Sequence, residues 1–387
     1  MRRIGFGGWI LLGAASAACG DRTEPPGDAA HDPPPATTAT ASESADTLSL
    51  AERRAAGGRI VFVSERGGAP RVFVVSPTGE GAREIAVGGD ASYPAAVSPD
   101  GRTLLAIAVR EEGGEHGEQM MLAPMAGGAA RPLGPAGPRA RSAAWSPDGS
   151  WVVFESDRES FRDLYRIAPD GSGLRRLTEN REGNFDPAVS PDGRSIAFAS
   201  SRDGDAEIYV MRADGGEQRR LTAFHRDDWG PRWSPDGRTL AFLSNREGAD
   251  RIFLVSPDGT GLRKLSGGAD GSGADRTGPG GVRPDSVAPW QEADPAWSPD
   301  GTRIAFTRHV RPGESRIRIV DVRTGSEREV AGVAAASQPV WSPDGRHLAF
   351  TATSGDDAEL WIARADGTRA TRITRSNGAD WLPRWVR

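Results

Sequence analysis

A four-residue phrase, Ser-Pro-Asp-Gly, recurs in the same place of six repeats, at residues 98–101, 146–149, 190–193, 234–237, 298–301 and 342–345, and a further copy at 256–259 falls outside that series. Successive copies stand 48, 44, 44, 64 and 44 residues apart. A period in the forties with several short strands per unit marks a propeller, in which each blade buries its faces against its neighbours. The phrase is itself a turn. Proline presets φ at its second position, aspartate suits the third, and glycine accepts the left-handed conformation at the fourth.

The residues around each turn read as one four-stranded blade. A strand of the form Pro-x-Trp or Pro-x-Val precedes it, as at 187–189, 231–233, 295–297 and 339–341. Five residues beyond the glycine stands Phe154, Phe198, Phe242, Phe306 or Phe350, with Ala106 as the exception. Alternating apolar residues follow at 164–167, 208–211 and 252–255, then a second Asp-Gly turn and a short strand ending in Leu-Thr or Ile-Thr. First strands end at Val97, Trp145, Val189, Trp233, Trp297, Trp341 and Trp385, and seven sets of the other three strands accompany them. The N-terminal set lacks a first strand and the C-terminal strand lacks the other three, so the two combine. The expected fold is an all-β, seven-bladed propeller over 59–387 closed by its own C-terminal strand, with six blades the alternative. Closure leaves no open sheet edge between blades.

These residues resemble the TolB-type propeller repeat, whose unit reads Pro-x-Trp-Ser-Pro-Asp-Gly, Ile-Ala-Phe-x-Ser-x-Arg, Ile-Tyr-Val-Met and Arg-Leu-Thr. Residues 187–222 and 231–266 match it nearly throughout, including Ser200-Ser201-Arg202 and Ser244-Asn245-Arg246. The resemblance implies a cell-envelope protein that binds an envelope protein or peptide through its propeller, a peptidoglycan-associated lipoprotein being one such partner. Seven blades, and a tether in place of the α/β domain that precedes the propeller in the family's type, set this chain apart.

The N-terminal region points to the same compartment. A basic head, Met1-Arg2-Arg3, leads into an apolar run over 4–15 and then Ser16-Ala17-Ala18-Cys19. That is a secretory signal too short to span a membrane as a helix. Its small-small-Cys ending resembles a bacterial lipoprotein signal, with Ser16 where such signals usually carry leucine. Residues 1–18 are then a signal peptide and Cys19 is lipidated, the membrane being met through that anchor only. Gly20 carries no inner-membrane retention signal, which places the protein at the outer membrane facing the periplasm. With one cysteine in 387 residues, disulfides are excluded. Residues 19–58 are rich in Pro, Ala, Thr, Asp and Glu and read as a disordered tether. A net charge of −5 without a basic stripe argues against nucleic acid as a partner.

The Ser-Pro-Asp-Gly turns are structural, so any site belongs on the opposite face. Loops of varied sequence lie there, at 158–163, 179–186, 202–205, 223–230 and 375–382. Four residues before the first-strand Trp/Val position stand Trp381, Tyr93, Arg141, Phe185, Trp229, Ala293 and Ser337 in ring order. Asn184, Asp228, Glu292 and Asp380 precede four of these, and Asp186 follows Phe185. The candidate ligand-binding set is therefore Tyr93, Arg141, Phe185, Asp186, Asp228, Trp229, Asp380 and Trp381, an arc gripping a peptide or glycan at the channel mouth. The competing reading is that the rings pack between blades, sharing side-chain parity with the strand tryptophans.

Arg232 and Arg384 occupy a slot that holds Ala or Val elsewhere. They are either half of an inter-blade ion pair or channel cations facing an acidic ligand. An insertion at 267–289 enters on the same face and reads as a polar loop. No Gly-x-Ser-x-Gly elbow is present. His31, His116, His225, His309 and His347 are scattered without metal-ligand spacing. No catalytic residue, metal site or cofactor is assigned. A metal-dependent polysaccharide lyase or hydrolase is the alternative to a binding and scaffold module.

Overall fold

The computed structural model describes residues 47–112, 115–135, 140–265, 290–355 and 357–387. Cys19, His31, the signal segment and the insertion at 267–289 lie outside that set. The described residues form seven four-stranded antiparallel sheets. Blade 1 is built from both ends of the chain, as Asp380–Val386 followed by Arg59–Ser64, Arg71–Val75 and Arg83–Glu84. Blades 2 to 7 span residues 91–132, 140–176, 184–220, 228–264, 291–329 and 336–372. The count is seven and the six-blade alternative falls. Closure runs from the Arg59↔Val386 pair to Ser64↔Asp380.

Each sheet is covered on both faces, because strand side chains alternate and one parity goes to each neighbour. Between blades 3 and 4, for example, Val153 and Leu164 pack with Ile196, Phe198, Tyr209 and Met211. The five repeat phenylalanines are wholly buried. An arginine two residues past the second strand, or at its end, lies over the ring pair behind each of several of them. Arg202 stands 5.6 Å from the Phe198 centroid and 4.6 Å from Tyr209, and Arg246 is 4.5 Å from Phe253. That explains the Phe-x-Ser-x-Arg spelling: a cation caps the π-faces that the strands bring together.

The Ser-Pro-Asp-Gly turns repeat one hydrogen-bond set. In the 190–193 copy, the Gly193 N–H donates to Ser190 O at 2.9 Å and the Ser190 hydroxyl donates to Asp192 at 2.6 Å. The Arg194 N–H also donates to Asp192, at 3.0 Å. Gly193 has a φ of 71°, and a Cβ there would meet Pro147 of the preceding turn at 3.4 Å. Glycine is needed for the left-handed backbone, and an added Cβ would only reach ordinary contact with the neighbouring proline.

Order reaches back before residue 59, into the segment that reads as tether. A helix at Leu50–Ala55 begins with a capping box between Ser49 and Glu52. Leu48 is buried with Ile60, Phe62 and Ile373 beside the closing seam, and its N–H donates to Thr371 Oγ1 at 2.7 Å. Glu52 receives Arg364 Nε at 3.1 Å and Arg369 Nη1 at 3.2 Å. The Arg364 hydrogen bond is the main cause that draws the Glu52 carboxyl down to about 2. The helix thus clasps blade 7 to blade 1 on the outside, while Asp380–Val386 joins the ring on the inside.

Candidate functional site at the channel mouth

Every innermost strand carries a register shift between its first pairs and its last. The residue after the arc position is left-handed in six blades: Ser142, Asp186, Gly230, Asp294, Gln338 and Leu382, with φ from 45° to 61°. In blade 2 this place is taken by Pro94, whose ring forbids positive φ. A β-bulge there turns the strand and re-aims its side chains towards the bore. A left-handed backbone costs a non-glycine residue roughly 1 kcal/mol or more, so the surroundings must hold it.

Hydrogen bonds between blades do so. The Asp186 N–H donates to Glu155 Oε2 of blade 3 at 3.1 Å, and Ser142 Oγ donates to Asp186 Oδ1 at 3.4 Å. On the other side of the mouth the Gln338 N–H donates to Thr307 Oγ1 at 3.0 Å. The Leu382 N–H and Thr351 Oγ1 both donate to Gln338 Oε1, at 2.9 and 3.0 Å. Thr307 Oγ1 in turn donates to Asp294 Oδ2 at 2.9 Å.

Glu155 is the residue that sequence reasoning missed. It fills a second-strand column that elsewhere reads Val63, Ile107, Ala199, Leu243, Thr307 and Thr351, so being its sole charge was the available signal. It is buried, and that burial, reinforced by Asp186, pushes its carboxyl up to about 7 despite Arg162 and Arg141 nearby. Asp186 is raised as well, mainly by its enclosure in the ring and against the pull of Arg232 and Arg162. Glu155, buried and with the Asp186 charge near it, thus holds its proton towards neutral pH.

Stability should therefore depend on pH. An acid whose folded pKa lies above its unfolded value contributes stability at low pH that is lost as pH rises from about 4.5 through 7. Glu155→Gln keeps an oxygen for the Asp186 N–H and should remove that slope, worth on the order of 2–3 kcal/mol. Urea midpoints of both proteins from pH 4 to 8 check it. Parallel profiles would refute the assignment.

The expected arc is brought together only in part. The Tyr93 and Trp381 rings meet at 6.1 Å between centroids, both half-buried at the mouth. Burial and the nearby Glu65 raise the Tyr93 hydroxyl's pKa. Phe185 lies under the Arg162 guanidinium at 5.6 Å, and exposed Arg141 pairs with Glu118 at 3.2 Å. Trp229 packs on the apolar cluster shared by blades 5 and 6, as the packing alternative required.

Asp228 and Asp380 are corrections. Both are wholly buried inside their blades, where they pair with Arg246 at 2.7 Å and Arg66 at 3.1 Å. The residue before the arc position has the opposite strand parity and points into the blade, so neither faces a ligand. Arg232 and Arg384 form no ion pair among the described residues. Both face the bore, Arg232 exposed and Arg384 half-buried. Enclosure and the like charge of Arg232 lower the Arg384 pKa. His225 and His309 are exposed and His347 is buried against Trp385. Among the described residues no three His, Cys, Asp or Glu side chains gather closely enough to hold a metal ion.

Comparison with known proteins agrees with this architecture. Residues 160–274 match the model of the tricorn protease N-terminal β-propeller domain, and residues 289–387 match that of the TolB β-propeller domain. A TolB homologue from Chlorobium luteolum is 32% identical over 91 residues, which are 23% of this chain and 20% of that protein. This matched stretch spans only a fifth of the curated relative's length. The crystal structure of TolB from Acinetobacter baumannii superposes with a TM-score of 0.52 at 17% identity, over 90% of this chain and 88% of that one. An oligogalacturonate lyase in complex with manganese gives 0.57 at 15% identity, over 83% and 86%. The matches by sequence thus place TolB-type repeats in residues 289–387, and the likeness to solved structures extends over the whole ring as a likeness of fold.

Proposed function

We propose that this protein is a binding and scaffold module of the bacterial cell envelope, TolB-like and lipid-anchored through Cys19, that receives a protein or peptide at its channel mouth. The observation that carries the reading is the asymmetry of the two faces. One is closed by six near-identical turns, each satisfied by its own hydrogen bonds. The other presents the half-buried Tyr93–Trp381 ring pair beside a rim of Arg141, Phe185 and Asp186. Aromatic rings with a polar margin are the usual composition of a recognition patch. The outer-membrane, periplasm-facing address rests on the leader and on the company of TolB relatives.

Crosslinking capture from envelope preparations tests this reading, comparing the protein with a Tyr93→Ala/Trp381→Ala variant. One envelope protein should be recovered and lost at least about tenfold in the variant, with little change in melting temperature. A variant that melts earlier yet captures the same partner would show that the rings only pack.

A second reading, an enzyme acting on polysaccharide, is favoured by one observation. Glu155, held near 7 beside Asp186, has the pKa of a proton donor or acceptor at neutral pH. Turnover of acidic or neutral oligosaccharides that disappears in Glu155→Gln would move the assignment to that reading.

A further inference from the structure

Three residues below the mouth, the bore itself carries charge. Arg232 and Arg384 occupy equivalent places on their inner strands, each following the strand proline and preceding the strand tryptophan. Their second-strand partners are Ala241 and Val61. Blades 5 and 1 are three steps apart around a ring of seven, so the two side chains enter the bore from nearly opposite walls. Among the described residues the only hydrogen bond from the Arg232 guanidinium goes to the neighbouring Pro231 carbonyl, at 3.1 Å. The Arg384 guanidinium has no hydrogen-bond or ion-pair partner among the described residues.

Arg66, Arg176, Arg220, Arg246 and Arg308 each meet a buried carboxylate. Two facing guanidinium groups in an enclosed bore repel, and the Arg384 pKa is lowered chiefly by burial and further by the Arg232 charge. The nearest opposing charges, Asp294 and Asp186, sit on the bulges above and are not within ion-pair distance of either arginine. Arginine left unpaired in such a place is suited to bidentate capture of a planar oxyanion.

We infer that Arg232 and Arg384 form an anion clamp in the bore that takes the carboxylate of a peptide whose flanking residues lie on the mouth above. The inference rests on the binding-module reading and names the chemistry of its ligand. Two nearby aspartates offset much of the two positive charges, which favours a singly charged carboxylate over a dianionic phosphate. A free chain terminus or an Asp or Glu side chain supplies the same group.

The test selects a displayed library of random twelve-residue peptides on the purified protein and on Arg232→Gln/Arg384→Gln. Selected peptides are resynthesised as free acids and as C-terminal amides, and inorganic phosphate serves as the competing anion. Peptides enriched in acidic residues, or needing their terminal carboxylate, should bind the double variant at least about tenfold more weakly. The variant's melting temperature without ligand should be unchanged or higher, since a repulsive pair has been removed. Enriched peptides without carboxylate preference that bind both proteins equally would overturn the clamp and leave the binding module standing. Phosphate displacing peptides more strongly than acetate at equal ionic strength would overturn the choice of carboxylate. Failure of any peptide to enrich on the wild-type protein would overturn both readings. A variant that melts earlier and binds normally would show that the arginines are structural.

Discussion

A chain ending at Thr374 should lose its cooperative melting transition. The missing residues include the whole inner strand of blade 1, which pairs with Arg59–Ser64 from Val386 to Asp380. Asp380 would leave Arg66 without its carboxylate, and the Trp385 indole would no longer donate to Gly57 O at 3.0 Å. The cores on either side of the seam, with Val61, Val72 and Leu104 on one side and Ile60, Phe62 and Leu360 on the other, would each open to water. Trp385 contributes less by burial than its position suggests, since it is only half-buried. The loss is cumulative. A domain has only about 5–15 kcal/mol of net stability, and an unpaired ladder on Arg59–Ser64 together with opened cores against both flanking blades removes a comparable amount. The control exploits the register. Because Arg59 faces Val386, residues 375–387 can be joined to residue 59 by a short glycine turn, making one ordinary hairpin. That permuted chain should recover a transition, lowered only by the missing helical clasp. A truncated protein that melts like the full chain would contradict closure by the C-terminal strand.

The range of the interactions decides how much of this molecule is legible in its sequence. The turns are local. Ser190, Asp192 and Gly193 satisfy one another within a few residues, so the recurring turn reveals the period, and the strand ends around it reveal the blade count. The clasping helix is also written locally, as Ser49 and Glu52 three residues apart ahead of basic residues. It is hidden by the polar, proline-rich composition of the segment before it. Asp228 and Asp380 were misplaced for a different reason. Their arginines lie across a strand pair, 18 residues on in one blade and at the far end of the chain in the other. The bulge also shifts side-chain parity along the rest of the strand. Counting back from the tryptophan therefore places the aromatic residue rightly and says little of its neighbours' directions. The unpaired state of Arg232 and Arg384 depends on which side chains the other blades present, and no single repeat records that.

Arg308→Ala should be the most damaging single substitution. Its side chain is 7% exposed and binds two carboxylates, Glu292 Oε1 and Glu327 Oε2, each at 2.9 Å. Glu292 is wholly buried and also receives the Ile252 N–H at 2.9 Å, so it cannot leave with its charge. The guanidinium further lies 4.1 Å from the Trp290 ring and 5.4 Å from Phe306, and Arg251 covers Trp290 at 3.5 Å. Truncation therefore removes a cation that two acids share, and leaves a hole against two aromatic rings. Breaking a buried pair by deleting one partner costs about 3–5 kcal/mol, because the survivor stays buried and charged. Arg308→Lys should recover only part of this, since an ammonium cannot bridge both acids or stack as a plane. The pH response identifies the cause. In the alanine variant the penalty comes from ionised carboxylates, so it is fully present at neutral pH and shrinks on acidification. A combined Glu292→Gln/Arg308→Met/Glu327→Gln variant, with no charge left to desolvate, should be far closer to wild type than Arg308→Ala. If the triple variant is as unstable as the single one at every pH, packing against Trp290 and Phe306 outweighs charge at this site. The half-buried arginines of blades 1, 3 and 5, Arg66, Arg158 and Arg246, would then owe their place to ring capping before ion pairing.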